Sequence, residues 1–173
     1  MVRFLAEWHL QRVARWLTLF GYPTKVFPKL DERVVSSCRG GGCKVLTTSR
    51  RFRSTLDRLK VEYLLLPNSE DWKTQLCLVL RHFDLKPELK LDHCPLCVSP
   101  LRPADPDRVK ERIPPKSYEL GKNFKECPSC GRIYWIGSHK RLMEKTLEGL
   151  RRRCRKLFGL TSVGENVYSE LNE

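Results

Sequence analysis

The motif Cys94-Pro95-Leu96-Cys97 has a counterpart further along the chain, Cys127-Pro128-Ser129-Cys130, which is followed by Gly131. Two residues between the cysteines of each motif let both thiolates of a tight turn face one ion, and the second turn completes a tetrahedral Cys₄ shell. The residues around the second motif, 124–126 and 132–135, predict short strands, as in a zinc ribbon. The alternative is four unrelated buried cysteines. Because a closed shell leaves no open position, a zinc ion here is expected to be structural.

Composition indicates a basic chain of ordinary hydrophobicity. Its 173 residues can form one domain of ordinary size plus a small appendage. No apolar run approaches the ~18 residues of a membrane span, and the first residues alternate charged with apolar side chains, unlike a signal peptide. We therefore expect an intracellular protein, cytoplasmic or nuclear, without a membrane partner. The four remaining cysteines have no spacing typical of pairing and are predicted to be free thiols: Cys38, Cys43, Cys77 and Cys154.

The net charge is +13, from 33 basic and 20 acidic residues. A surplus of this size favours a polyanionic partner, and nucleic acid is the usual one. The alternative is a basic protein with no such partner. The charge is spread along the chain, and a predicted final helix from about Ser138, its predicted N-cap, to Leu157 is strongly basic. Its apolar stripe is Leu142, Leu147, Leu150, Cys154 and Leu157. Its candidate phosphate-binding residues are Lys140, Arg141, Arg151 and Arg152, although a docked helix with a solvated basic face is an equal alternative.

The first ninety residues alternate strand-like apolar runs with helical periodicity. Strands are predicted at about 2–6, 25–27, 44–48 and 61–66, and helices at about 10–20, 31–39, 50–60 and 69–83, the last capped by Ser69. This alternation predicts an α/β fold with a parallel sheet and helices on both faces. The proline-rich segment 98–118 is predicted to wrap the surface without packing. The predicted units are therefore 1–90, the ribbon 91–136, the basic helix 137–158 and a disordered tail, 159–173.

Acidic residues follow the predicted strands at the edge where parallel sheets place their sites. Glu7 follows the first strand, Asp31 opens the second helix, and Ser49 follows the third strand. Carboxylates gathered there would hold Mg²⁺ or Mn²⁺, which can activate water for cleavage of a phosphodiester. Two acidic residues near strand ends are more often solvated surface groups, so these residues alone give a weak signal.

Longer runs of the chain resemble one known family. The runs are Phe4 to Leu17, Val45-Leu46-Thr47-Thr48-Ser49-Arg50, Leu64-Leu65-Leu66-Pro67, Pro114 to Tyr118 and Cys127 to Trp135. With the cysteine motifs, they resemble the Mut-seven C-terminal ribonuclease-like family over about residues 2–145. The resemblance implies a PIN-like nuclease fold followed by a zinc ribbon, RNA as the bound molecule, and an exonuclease domain as a partner in cis or in trans.

This chain departs from the family where the resemblance implies catalysis. Glu7 stands where the family usually has aspartate, and Ser49 replaces an expected aspartate, whereas Asp31 is kept. A serine hydroxyl brings no charge to a magnesium ion. The longer Glu7 would displace a bound ion, and a shift of ~1 Å can cost ~100-fold in rate. The resemblance therefore implies a ribonuclease-derived domain with weak or absent metal-dependent cleavage.

Basic and aromatic residues around this edge are candidates for RNA binding. The arginine candidates, whose forks can grip phosphates, are Arg12, Arg15, Arg50, Arg51 and Arg53. Trp8, Phe52 or Trp135 can stack a base if exposed, and core packing is the alternative, favoured for Trp135. The leading hypothesis is binding of single-stranded RNA at a decayed active site. The alternatives are an active Mg²⁺- or Mn²⁺-dependent ribonuclease using Glu7 and Asp31, and a protein-docking module.

Overall fold

The computed structural model describes residues 1–159, with only the backbone of Ser138 and His139. Its first half is a sheet with spatial order β2-β1-β3-β4, in which every pairing is parallel. The strands are β1 (Phe4–Glu7), β2 (Thr24–Phe27), β3 (Lys44–Thr47) and β4 (Tyr63–Leu65). The helices between and after them are α1 (Gln11–Leu19), α2 (Glu32–Val35), α3 (Arg53–Leu59) and α4 (Trp72–His82). Single 3₁₀ segments lie at Trp8–Leu10, Ser36–Gly41 and Arg50–Phe52.

Alternate residues of the central strands form two separate cores. Phe4 and Ala6 of β1 belong to a cluster with α1 and α4, whereas Leu5, between them, belongs to a cluster with α2 and α3. The same alternation places Leu46 and Val45 of β3 in opposite clusters. Successive strand residues point to opposite faces, so both faces of this sheet are covered. The predicted parallel sheet with helices on both faces is confirmed.

Two helices begin or end differently from the prediction. The helix predicted to reach residue 39 ends at Val35, and a 3₁₀ segment kinked at Gly40 (φ 74°) continues from it. Helix α4 is capped by Asp71, whose Oδ1 accepts from the N–H groups of Lys73 (2.9 Å) and Thr74 (3.2 Å). The predicted cap, Ser69, is therefore wrong, because the carboxylate two residues later satisfies the free donors of the first turn.

The second half forms an antiparallel sheet of three strands. They are β5 (Arg102–Pro103), β6 (Lys122–Glu126) and β7 (Ile133–Ile136), in that spatial order. The proline-rich segment contains two short helices, α5 (Pro106–Lys110) and α6 (Pro115–Leu120). Asp105 caps α5, Pro106 occupies a first-turn position that needs no N–H, and Val109 is buried. The expectation that this segment would not pack is therefore wrong.

The final helix, α7 (Ser138–Phe158), packs against α4. Its buried residues are Leu147, Leu150 and Cys154, as predicted, whereas the predicted stripe residues Leu142 and Leu157 are exposed. Because the helix begins at Ser138, its N-cap position is Gly137 and not Ser138. The predicted disordered tail lies outside the described residues except for Gly159. None of the helices described over residues 1–159 is long and apolar enough to cross a membrane.

The four cysteines predicted to be free are paired in two disulfides. Cys38 bonds to Cys43 across the glycine turn, and Cys77 of α4 bonds to Cys154 of α7. The second pair is separated by 77 residues, so no local spacing reveals it. The prediction of free thiols is wrong because packing of α7 on α4 brings together two cysteines that the sequence shows far apart.

Candidate metal centre and nucleic-acid interface

The four cysteines predicted to bind zinc converge on one point. Their Sγ atoms all lie within 4.8 Å of one another. Cys97 is 3.2 Å from Cys127 and 3.4 Å from Cys94, and Cys94 is 3.8 Å from Cys130, all between Sγ atoms. Sulfurs bound at about 2.3 Å to one tetrahedral zinc stand about 3.8 Å apart, whereas disulfide sulfurs are about 2.0 Å apart. The cluster therefore fits a single metal ion and is consistent with structural zinc.

Polar donors surround the sulfurs of this cluster. The Cys130 N–H donates to Cys127 Sγ at 3.5 Å, and the Tyr134 hydroxyl lies 3.1 Å from Cys94 Sγ. Burial raises the pKa of the Cys94 thiol, but hydrogen bonds from the Cys97 backbone, from Tyr134 and from other donors outweigh it and lower the pKa to about 6. The thiolate is the form that binds a metal, so these donors prepare Cys94 as a ligand.

At the carboxyl edge of the parallel sheet, Glu7 is bound by the protein itself. The Thr47 hydroxyl donates to Glu7 Oε1 at 2.6 Å, and Thr48 donates its N–H (3.1 Å) and its hydroxyl (3.2 Å) to Oε2. His9 Nε2 lies 3.1 Å from the same Oε2 and 2.7 Å from Thr48 Oγ1. The Glu7 side chain is only 13% exposed. Its carboxylate thus ties the end of β1 to the end of β3.

The other predicted catalytic positions do not complete a metal site with Glu7. Ser49 lines the same cleft as Glu7, whereas Asp31 is not among the residues that line it. Asp31 Oδ1 instead accepts from the Val34 N–H at 2.9 Å and caps α2. Within residues 1–159, the four cysteines form the sole group of three or more side chains suited to hold a metal. Among the described residues, Glu7 is therefore the one carboxylate that lines this cleft.

Two clefts open on this edge, and His9 lines both of them. The first has a volume of about 400 Å³, and its polar lining includes Glu7, Lys29, Ser49 and Arg51. The second has a volume of about 520 Å³, and its lining includes Arg12, Arg15, Asn68, Glu70, Trp72 and Gln75. Each cleft is therefore lined by one carboxylate and, besides His9, by two basic side chains.

The predicted phosphate-binding arginines of the sheet half differ in their surroundings. Arg51 lines the first cleft, and Arg12 and Arg15 line the second. The Arg12 guanidinium also lies 5.2 Å from the centre of the Trp72 ring. Arg50 is exposed, and Arg53 is 4.0 Å from a carboxylate oxygen of Asp57 on its own helix. The structure thus brings three of these five arginines into the two clefts.

The predicted basic residues of α7 are also not equivalent. Lys140, Arg141 and Arg152 are exposed, and Lys140 pairs with Glu144 at 3.5 Å. Arg151 instead donates to the Pro87 carbonyl at 3.4 Å, and its buried Nε has no partner among the described residues. Arg151 therefore contributes to docking of the helix, whereas the other three face solvent.

Sequence reasoning missed three residues of this edge, Lys29, Thr47 and Thr48, and the contacts that His9 makes. Lys29 follows β2 just as Ser49 follows β3, so the same strand-end rule would have found it. The two threonines end β3 beside β1, and a pair of hydroxyls next to a carboxylate is a signal for hydrogen bonding. His9 contacts both Glu7 and Thr48, which supports a structural role for its side chain.

The comparisons with known proteins agree with this architecture. The family model of the Mut7-C RNAse domain matches residues 2–147, a range that includes Glu7, both clefts and all four clustered cysteines. No curated protein and no solved structure matches the chain. Because the matched range covers far more than half of the sequence, the chain belongs to the Mut7-C RNAse domain family and contains a ribonuclease-like domain.

Proposed function

We propose that this chain is an RNA-binding domain of ribonuclease lineage whose active site supports little or no metal-dependent cleavage. The observation that carries the proposal is the state of the Glu7 carboxylate, which accepts three hydrogen bonds from Thr47 and Thr48 and also contacts His9. A divalent cation would have to replace these bonds and would find Ser49 where a second charged ligand is expected.

The serine at position 49, where an aspartate is expected, also favours phosphate binding at the first cleft. Loss of an acid at Ser49 removes a negative charge, while Arg51 and Lys29 keep their positive charges in the cleft lining. Arginine donates two parallel hydrogen bonds to a phosphate without needing a metal. The net charge of +13 adds long-range attraction for RNA. A nuclease-derived cleft that no longer cleaves RNA can thus still bind it.

The ribbon has a supporting role in this proposal. Cys94, Cys97, Cys127 and Cys130 bind one structural zinc ion, which has no open position for substrate. Residues 91–136 form this unit, residues 1–90 form the PIN-like unit that binds RNA, and the basic helix 137–158 adds phosphate contacts through Lys140, Arg141 and Arg152.

The test uses the purified chain and end-labelled single-stranded RNA, with Mn²⁺ or with a chelator. We expect binding without cleavage in both conditions. Replacing Arg50, Arg51 and Arg53 with Glu should weaken binding by several kcal/mol in total, on the order of 100-fold or more. The matched control reverses three exposed basic residues of the ribbon, Arg108, Lys110 and Lys116, which changes the net charge equally.

Three outcomes would contradict the proposal. Mn²⁺-dependent cleavage that disappears in Glu7→Gln and in Asp31→Ala would support an active ribonuclease instead. Equal loss of binding in the two triple variants would mean that overall charge, and not the cleft, attracts RNA. Absence of RNA binding, with association to an acidic protein that survives high salt, would favour the docking module.

A further inference from the structure

Trp8 is the exception among the four tryptophans of this chain. Trp16 stacks on Trp72 with ring centres 6.1 Å apart, and Trp135 packs against Phe124 at 6.3 Å. Trp8 is 58% exposed, and over residues 1–159 its ring contacts no other aromatic ring. Isolated exposed leucines are ordinary, but an indole left in water forgoes much more apolar burial. This ring is therefore available to a ligand.

The position of Trp8 connects it with both clefts. It directly follows Glu7, which lines the first cleft, and precedes His9, which lines both. Trp8 is not among the residues that line either cleft, but basic side chains lie in both: Lys29 and Arg51 in the first, Arg12 and Arg15 in the second. Proteins that bind single-stranded nucleic acid without reading its sequence combine an exposed aromatic ring with a basic groove nearby.

The other two aromatic candidates lack this exposure. Phe52 lines the first cleft, but it is half-buried and packs against the core cluster of α2 and α3. Trp135 is half-buried in the ribbon, where Phe124 lies against it. Trp8 is therefore the most exposed of the three candidate rings.

We propose that Trp8 is a base-stacking platform, on which one unpaired base of a single-stranded RNA lies while the neighbouring phosphates contact the basic side chains of the two clefts. This inference rests on the proposed RNA binding and specifies its ligand as an unpaired strand. A duplex does not fit, because its bases already stack on one another and present only their edges. Stacking uses the face that every base has, so little sequence preference is expected.

The test measures binding of a fluorescein-labelled oligouridine 12-mer to the full chain and to Trp8→Ala. We expect about tenfold weaker binding in the variant, as for loss of one base stack, and an unchanged slope of affinity against salt, because the ring carries no charge. Trp8→Phe, which keeps a ring, should lose less. Leu120→Ala is the matched control, since Leu120 is a similarly exposed apolar residue (61%) in the ribbon half.

A second ligand separates stacking from a structural effect of the substitution. An abasic oligomer with the same number of phosphates should bind equally to the wild type and to Trp8→Ala. If the variant weakens both ligands alike, or neither, the stacking platform is overturned while RNA binding stands. If the wild-type chain binds no RNA at all, the proposed function itself fails. A labelled RNA duplex that is as sensitive to Trp8→Ala as the single strand would also overturn the inference.

Discussion

Residues 1–90 bury apolar side chains in two clusters, one on each face of the sheet, whereas residues 91–136 bury only His93, Cys94, Val109 and Cys127. Three short antiparallel strands with so little buried apolar surface are not expected to be stable alone. Two of the four buried residues belong to the cysteine cluster. The first half is therefore stabilised by hydrophobic burial, whereas the second needs a further source of stability, which a metal ion held by its four cysteines would supply.

The two candidate metal-binding sites, the cysteine cluster of the ribbon and the sheet edge at Glu7, differ in what surrounds their ligand atoms. The sulfurs of the ribbon face one another, so an ion can join all four. At the sheet edge, both oxygens of the Glu7 carboxylate already accept hydrogen bonds from hydroxyl and N–H groups at the end of the neighbouring strand.

The largest effect should follow from Cys127→Ser. Structural zinc contributes about 10–16 kcal/mol to folding of small zinc-binding peptides, so losing a ligand should release the metal and unfold the ribbon. The sheet half should stay folded, because its two clusters include no ribbon residue. Zinc content and hydrogen exchange along the chain measure these two effects.

The control for that change is Ser129→Ala in the same turn, which loses only an exposed hydrogen bond to Ser99. It should keep its zinc and its ribbon. If Cys127→Ser kept both, the assignment of a Cys₄ centre would be wrong. Loss of the sheet half together with the ribbon would instead show that the two halves fold as one unit.

A smaller effect is expected from removing the disulfide between α4 and α7. In the chain-entropy description, the Cys77–Cys154 loop contributes about 4.5 kcal/mol, whereas the short Cys38–Cys43 loop contributes about 2 kcal/mol. Urea unfolding of Cys77→Ala/Cys154→Ala and of Cys38→Ala/Cys43→Ala, compared without reductant, should therefore rank in that order. A wild-type midpoint that reductant leaves unchanged would mean that both pairs are free thiols in solution.

The smallest effect concerns Asp71, which caps α4 and also pairs with Arg153 of α7. Burial raises the pKa of this carboxyl, but the Thr74 N–H and the Arg153 guanidinium outweigh it, so the pKa is lowered. Since the side chain is 45% exposed, the cap and the pair together should contribute about 1 kcal/mol. Asp71→Asn should lose part of this stability at neutral pH.

The pH dependence of that loss has a defined sign. A lowered folded pKa stabilises the fold above the ordinary value of 3.8, and this contribution disappears as the pH falls through the lower folded value. The difference in unfolding midpoint between wild type and Asp71→Asn should therefore shrink only below about pH 4. A constant difference for Asp71→Asn down to pH 2 would exclude the charged pair as its cause.

Asp105→Asn, at the cap of α5, is the corresponding change in the ribbon. It should alter zinc affinity more than the midpoint of the sheet half.

Local patterns in the sequence predicted the sheet and the cysteine cluster. The four strands are apolar runs ended by polar, glycine or proline residues, and the spacing within each cysteine motif determines a turn by itself. Helices α5 and α6 were missed because proline-rich sequence was interpreted as irregular, although proline is favoured in the first turn of a helix. The Cys77–Cys154 pair depends on packing between distant helices, which local spacing cannot show.

The candidate site was predicted less completely than the fold. The position of Glu7 at a strand end follows from the alternation of strands and helices, and the structure places it there. Its hydrogen bonds to Thr47 and Thr48 depend on which strand lies beside β1, and that neighbour, β3, is far along the chain. Asp31 differs, because its side chain makes a local contact: it turns back and caps its own helix through the Val34 N–H.

The Cys77–Cys154 bond closes the chain into a ring that contains the whole ribbon. A protease that cuts once between these cysteines opens the ring but leaves the two pieces joined, and they separate only after reduction and unfolding. The ribbon is thus connected to α4 at both ends, on one side by the polypeptide that follows α4 and on the other by the disulfide bond from α7. A ribbon that has lost its metal stays at high local concentration beside the sheet half, and it can refold there when zinc returns.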